Sequence, residues 1–351
     1  MKTLRRRMTT SESDASILIV LMGSLGDVAR GLCLASAIKE ALPLSRITWL
    51  VEPKCREVVE LHPNIDQVIV FGRPNGLPAL VKLFRRLMGE NFDVTLDLQR
   101  HFKSGLFSFL SGAGRRIGFH PRDAKEHNWI FNNEYIPYYG NALPKWQHYL
   151  KFLLPLGVAV PEVPDFGLSR ARLASHMPRL IAGLDRPFVV VVMGSAWESK
   201  DWVYDGYLQL IKDVLASGKH QVVLVGEKSQ RNTSERLCAE FDGSVPVNLV
   251  GETSIRELVA VIAAAVAAVG PDSGPGHLAA AVGTPYVALF GPTSARRTAP
   301  FGNEHLVVDA GVACSPCYKR VCPEIDRECM RRIRSETVRK KLSEAVMAEG
   351  E

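Results

Sequence analysis

Three loops in this 351-residue chain carry residue types that hold anions or move protons. The richest is Gly-Pro-Asp-Ser-Gly-Pro-Gly-His at 270–277, which follows the apolar run Val-Ala-Ala-Val-Gly and opens a helical pattern over 276–282. A strand-to-helix turn of small residues exposes backbone N–H groups at a helix N-terminus, and this is how pyrophosphate is held. Such an end contributes about 0.3–1 kcal/mol per anionic group when exposed and up to about 2 kcal/mol when partly buried. The plainer alternative is a tight turn with a capping Asp and a packed His. A second glycine turn, Phe290-Gly291-Pro292-Thr293, should lie beside it.

The second loop, Gly23-Ser24-Leu25-Gly26-Asp27, also joins an apolar run to a helix. Its glycine spacing is not the dinucleotide fingerprint, and no P-loop lysine follows. Asp27 reads either as an N-cap or as a general base for a hydroxyl. In the third loop, 194–202, Ser195, Lys200 and two tryptophans follow the run Phe-Val-Val-Val-Val-Met-Gly. Lys200 can neutralise a leaving diphosphate or simply be solvated. Glu227 ends another apolar run, where an acid commonly bonds a ribose hydroxyl. Arg100, Lys103, Arg115, Arg116, Arg122 and Lys125 crowd two further loops and can clamp phosphates or carboxylates.

Short apolar runs that alternate with helical patterns must position these loops. In the first half the runs are 17–23, 47–51, 68–71, 94–98 and 116–119, with helices over 27–42, 78–88 and 104–110. A Pro-rich lapse at 161–165 and a helix over 173–182 precede a restart. Strands at 188–194, 221–226, 247–251, 266–270 and 286–291 then alternate with helices over 204–217, 229–241, 255–264 and 276–282. The alternation predicts two α/β domains, each a doubly wound parallel sheet, with ligands at the carboxyl ends of the strands in an interdomain cleft. The expected segments are a basic and polar tail at 1–15, domains at 16–178 and 179–335, and a C-terminal helix or tail at 336–351.

Composition is that of an ordinary globular protein, with 46% apolar and 23% charged residues. The basic excess lies in the first half and points to an acidic small molecule or lipid headgroup; no recognition motif suggests nucleic acid. The longest apolar run, 258–269, is too short to span a bilayer, and residues 1–15 lack the apolar stretch of a signal peptide. A cytoplasmic protein is expected. Arg5, Arg6 and Arg7 read as a frayed tail or as a contact with anionic lipid. Cys314, Cys317, Cys322 and Cys329 form CxxCx4Cx6C, an adequate thiol set for zinc or iron, although a metal is not expected.

Taken together, GSLGDV (23–28), ITWLVEP (47–53), DLQRHFKSG (97–105), SAWESKDW (195–202), LVGE (224–227), the 270–293 stretch and CSPCYKRVCP (314–323) resemble the lipopolysaccharide heptosyltransferases of glycosyltransferase family nine. The resemblance runs over about 16–335. It implies a GT-B fold, ADP-heptose as the donor, no metal or other cofactor, and inverting transfer to the acidic inner core on lipid A, with peripheral contact at the inner membrane. By the same resemblance Asp27 is the base, Lys200 meets the donor phosphates, and Glu227 holds the ribose. Asp272, Ser273, Gly274 and His277 hold heptose and pyrophosphate, flanked by Ser195 and Gly276. Ser24, Gly26, Arg100, Lys103 and Arg122 face the acceptor. Ser273 replaces the usual threonine; Arg30 and Leu34 stand where the family more often has an apolar residue and a proline. Competing expectations are another GT-B enzyme with a different nucleotide sugar, and a non-catalytic protein that binds sugar nucleotide or glycolipid.

Overall fold

A computed structural model describes residues 14–72, 76–323 and 326–348. The expected N-terminal tail, with Arg5, Arg6 and Arg7, lies almost wholly outside the described residues. The chain divides at Gly167/Leu168 into two compact units. That division falls ahead of the boundary expected at 178. The segment after it belongs with the second unit, since Arg170 donates to the carbonyls of Val282 at 3.1 Å and Gly283 at 3.0 Å.

In the first unit, β1 (Ser16–Val20), β2 (Arg46–Val51), β3 (Gln67–Val70), β4 (Val94–Asp97), β5 (Arg115–Gly118) and β6 (Glu134–Tyr135) form one sheet in the order β3-β2-β1-β4-β5-β6. Every pair is parallel, with Ile17 opposite both Ile47 and Val94. Parallel strands are covered on both faces, which is why the central ones are continuous apolar runs rather than alternating ones. The helix Leu25–Ala41 packs close to the sheet: a Cβ on Gly31 would come within 2.6 Å of Leu21 Cδ2.

The second unit repeats the plan with β7 (Phe188–Val192), β8 (Gln221–Val225), β9 (Val247–Asn248), β10 (Ala267–Pro271), β11 (Tyr286–Phe290) and β12 (Val307–Asp309), ordered β12-β11-β10-β7-β8-β9. The C-terminal helix Ser335–Ala348 is integral to it, with Val338, Leu342 and Ala345 in the same core as Val189, Val191 and Leu224. In both sheets the order reverses beside the first strand, between β1 and β4 and between β7 and β10, the place where such folds bind ligands.

Several elements differ from expectation. The helix expected over 173–182 is broken into Arg170–Leu173, a 3-10 turn Ala174–His176 and Arg179–Ala182, because Pro178 lacks an N–H and drives Met177 extended. The strand expected at 247–251 is only Val247–Asn248; Asn248 then turns the chain by accepting from the Val250 N–H at 3.1 Å. The edge strands β6 and β12 are too short to leave a periodic signature. Among the described residues no helix is long and apolar enough to cross a membrane.

The central strand β10 leaves no room at Gly270, where a Cβ would meet Val192 Cβ at 2.6 Å and the Tyr286 hydroxyl at 2.8 Å. Gly270→Ala is therefore expected to cost about 1–3 kcal/mol of overpacking. A lower denaturant midpoint at unchanged slope checks it; an unchanged midpoint would show that the strand can shift.

Candidate active site

Each unit gathers its reactive side chains at the reversal point of its sheet. In the first, β1 runs through Leu21-Met22-Gly23 into the helix Leu25–Ala41, and β4 runs into Leu98-Gln99-Arg100. Gln99 ties the two loops together: it accepts from the Met22 N–H at 2.7 Å and donates to the Gly23 carbonyl at 3.1 Å. The N-cap is Ser24, three residues ahead of Asp27, and Asp27 does not cap the helix. Its carboxylate instead accepts from Arg30 Nη2 at 2.6 Å, Lys145 Nζ at 2.9 Å and the Tyr149 hydroxyl at 3.1 Å, all on Oδ1. The Ser24 hydroxyl donates to Oδ2 at 3.1 Å.

Burial alone would raise the pKa of Asp27, but the Lys145 and Arg30 charges outweigh it and hold the carboxyl well below the usual range. Burial lowers the pKa of Lys145, against the pull of Asp27, and raises that of Tyr149. Arg100 stacks on Phe119 at 5.1 Å and acts electrostatically on both Lys145 and Tyr149. Two cations thus contact one carboxylate, and a third acts on the Lys145 and Tyr149 beside it. Gly26 is buried in the first helical turn. Lys103 is one step removed, paired with Glu52 Oε1 at 2.9 Å beside Gly23. Arg122 stacks on Tyr138 at 5.8 Å, and no contact among the described residues joins it to Asp27. Arg115 and Arg116 are structural: Arg115 forks onto Glu134 at 2.7 and 2.8 Å, and Arg116 donates to the Phe131 and Ala113 carbonyls.

In the second unit the functional loops follow the sheet order. The Glu227 turn leaves β8, the Ser195–Lys200 loop leaves β7, Asp272 leaves β10 and Thr293 leaves β11. Asp272 is the hub. Its Oδ2 accepts from Lys200 Nζ at 2.8 Å and the Thr293 hydroxyl at 2.7 Å, and its carbonyl accepts from Lys200 at 3.0 Å. His277 Nε2 lies 3.8 Å from Oδ1. Burial pushes this carboxyl up, yet His277 and the Lys200 charge prevail and leave it below the ordinary carboxylate range.

Ser273 is the N-cap of the helix Gly274–Val282, and its hydroxyl turns back to the Pro271 carbonyl at 3.1 Å, leaving the helix-opening amides of Gly274 and Gly276 without a side-chain cap. Gly276 is small because a Cβ there would strike the Tyr286 ring at 2.8 Å. Lys200 Nζ and the Arg320 guanidinium lie 4.7 and 5.5 Å from the Trp197 ring centroid. The Ser195 hydroxyl is engaged within its own loop at Trp197, while its N–H donates to Asp201 at 2.7 Å. Burial raises the Asp201 carboxyl to about 6. Glu227 is exposed, its N–H donating to Gln230 Oε1 at 2.7 Å.

The four clustered cysteines are free thiols, Cys314 and Cys317 exposed, Cys322 half-buried and Cys329 buried against Gly291. Their loop braces the site: the Ser199 N–H donates to the Arg320 carbonyl at 3.1 Å, its hydroxyl to the Lys319 carbonyl at 2.6 Å, and the Tyr318 N–H to the Pro292 carbonyl at 2.7 Å. Among the described residues no three His, Cys, Asp or Glu side chains are grouped as metal ligands.

Two units with these sheets and these loops make the chain a protein of the GT-B class, as its sequence led us to expect. Residues 80–326 match glycosyltransferase family 9 (heptosyltransferase), and the chain belongs to that family. It is 26% identical over 302 residues to the lipopolysaccharide core heptosyltransferase OpsX of Haemophilus influenzae, covering 85% of each chain. It is 27% identical over 318 residues to lipopolysaccharide heptosyltransferase 1 of Pseudomonas aeruginosa, covering 87% of each. The E. coli heptosyltransferase WaaC, solved with ADP, has the same fold, with a TM-score of 0.76 at 21% identity over 94% of this chain and 99% of that one.

Arg30, Lys145, Tyr149, Thr293 and Thr298 were not picked out as site residues from the sequence, and Thr298 reaches Asp272 only at 3.4 Å. One signal for Lys145 and Tyr149 was available: the i, i+4 spacing behind Pro144 puts them on one face of a helix.

The Asp272 centre has a pH signature. A carboxyl depressed on folding below its unfolded value, near about 3.9, stabilises the fold fully above that pH and loses the contribution as pH falls further. Asp272→Asn, which strips Lys200 of its counter-charge, is expected to cost on the order of 2–3 kcal/mol at neutral pH. The gap from wild type should narrow below about pH 4. Unfolding curves across pH check this, and a gap constant down to pH 3 would contradict it.

Proposed function

We propose that the chain transfers heptose from ADP-heptose to the inner core of lipopolysaccharide, with inversion, at the cytoplasmic face of the inner membrane. Family membership supports heptosyl transfer, the names of the relatives support the lipopolysaccharide acceptor, and the ADP in WaaC supports the nucleotide. The observation that carries the chemistry is the state of Asp27: an ionised carboxylate at a helix start that is not spent on capping, with the Ser24 hydroxyl on Oδ2 and both cations on Oδ1.

In the proposed reaction an acceptor hydroxyl gives its proton to Asp27 as its oxygen bonds to the anomeric carbon of heptose. The bond from that carbon to the β-phosphate oxygen breaks, and the electron pair leaves with ADP. Positive potential must meet the leaving diphosphate. Lys200 supplies part of it, but its charge is already shared with Asp272. The amides of Gly274 and Gly276, at the start of a nine-residue helix, supply a part with no such counter-charge. On this reading Asp272 orients Lys200, Glu227 holds the ribose, and Ser195 shapes the loop through its backbone. Arg100 and Lys103 serve the acidic acceptor together with Arg30 and Lys145. Arg122 keeps only a peripheral part.

Mass spectrometry of products from ADP-heptose and truncated lipopolysaccharide acceptors tests donor, acceptor and activity together. Asp27→Asn is expected to keep the thermal shift given by ADP-heptose while losing about 10²- to 10⁴-fold in turnover; full turnover would remove Asp27 from the base role. ADP-heptose at about 100 times its Kd should stabilise the protein by about 2.7 kcal/mol. An equal response to a UDP sugar would favour a different nucleotide-sugar enzyme.

A further inference from the structure

One surface of the first unit is built the opposite way round from an ordinary soluble surface. In the helix Phe102–Leu110 the residues turned inward are Ser104, Gly105, Phe107 and Ser108, with both serines fully buried and Phe107 reaching the core. Those turned outward, at the i, i+4, i+7 spacing of one helical face, are Phe102 at 48% exposure, the half-buried Leu106 and Phe109 at 54%. The neighbouring 3-10 turn Asn128–Phe131 repeats the inversion. Asn128 is fully buried, and Trp129 and Ile130 stand out at 39% and 53%.

The buried polar groups serve one another. Ser108 donates to Asn132 at 2.7 Å, and Asn128 donates to Asp97 at 2.6 Å and to Ser104 at 3.2 Å. The two elements form a single module. A Cβ on Gly105 would lie 2.6 Å from the Phe131 ring, Phe102 and Phe109 flank that ring at 5.0 and 6.4 Å, and the Tyr135 hydroxyl donates to the Trp129 carbonyl at 3.0 Å.

We propose that this face docks on an anionic lipid bilayer. The charge around it favours a bilayer over a protein partner. Arg116 lies over Phe109 at 5.6 Å, Lys125 and His127 are exposed beside Trp129, and the helix Gly76–Gly89, packed next to Phe102–Leu110, exposes Lys82, Arg85 and Arg86. Aromatic side chains at headgroup depth with a cationic rim are the pattern of an interfacial surface. The acid at its edge, Glu126, is occupied with His101 and the Phe102 N–H.

The module also begins at the site. Phe102 follows the Gln99–Arg100 loop, and Lys103 on the same helix is paired with Glu52 beside Gly23. A bilayer held here brings its headgroups to the Asp27 loop. The choice of a bilayer rests on the proposed function in one respect, that the acceptor is lipid-anchored, so docking and transfer are measured separately.

The full chain is sedimented with vesicles of phosphatidylethanolamine and phosphatidylglycerol, and with phosphatidylcholine vesicles, alongside a variant carrying Phe102→Ser, Phe109→Ser, Trp129→Ser and Ile130→Ser. Wild type should bind the anionic vesicles, less so at high salt, and the variant about tenfold or more weakly. The variant's melting temperature and its turnover of a deacylated, soluble acceptor should stay those of wild type. Brominated lipid should quench wild-type fluorescence more than that of Trp129→Phe, a readout that does not depend on the fourfold variant. Equal vesicle binding by both proteins, no binding by wild type at low salt, or a dimer in solution that the four substitutions abolish would overturn the proposal. If the transfer reading alone fails, neither protein turns over acceptor and the vesicle difference persists.

Discussion

An ionised carboxylate drawn out of water survives only where cations and hydroxyls are brought to it, and each half of this protein is organised around one such group. Asp272 sits at the end of β10 with Lys200, Thr293 and His277 around it, and Asp27 sits one turn into the first helix with Arg30, Lys145 and Tyr149. Leaving a buried charge unpaired costs about 3–5 kcal/mol, comparable with a large fraction of a domain's stability. The partners come from sequence-distant elements, Lys145 lying 118 residues beyond Asp27 and Lys200 lying 72 before Asp272. Each pair can form only if its sheet has closed in the correct order. The candidate site and the fold are therefore specified by the same contacts.

Much of this was legible in the chain because it is local. Apolar runs with glycine at their ends mark central parallel strands, and the glycine turns after β1, β10 and β11 stand where their spacing puts them, with Thr293 2.7 Å from Asp272. The four-part setting of Asp27 was not legible. Lys145 and Tyr149 come from the short helix Lys145–Leu150, whose six residues offer one i, i+4 pair behind Pro144 and nothing that ties it to Asp27. Arg30 was conspicuous only as a cation where the family favours an apolar residue. Its structural reason is that the guanidinium, only 7% exposed, closes on Asp27 from the next helical turn.

The basic residues of the first unit show how composition can mislead. Arg115, Arg116 and Arg122 look equivalent in sequence to Arg100 and Lys103. Their partners separate them: Arg115 on β5 forks onto Glu134 of β6, and Arg116 reaches the carbonyls that end neighbouring turns. A run of positive charge thus divides into sheet-edge pairing and candidate site residues, and only the pairing partners decide which is which.

The proposed role of Asp27 raises a conflict that its surroundings also resolve. Two cations that hold a carboxylate ionised make it a weak base, since proton affinity falls with the pKa. Yet Arg30 and Lys145 outnumber the single carboxylate they face, and Arg100 adds positive potential at Lys145. On the proposed reading, an acidic acceptor that enters this excess of positive charge takes over part of the hold on Arg30 and Lys145. Asp27 then recovers basicity only when the acceptor is in place. Its base strength is coupled to occupancy by electrostatics alone, with no movement of the backbone required.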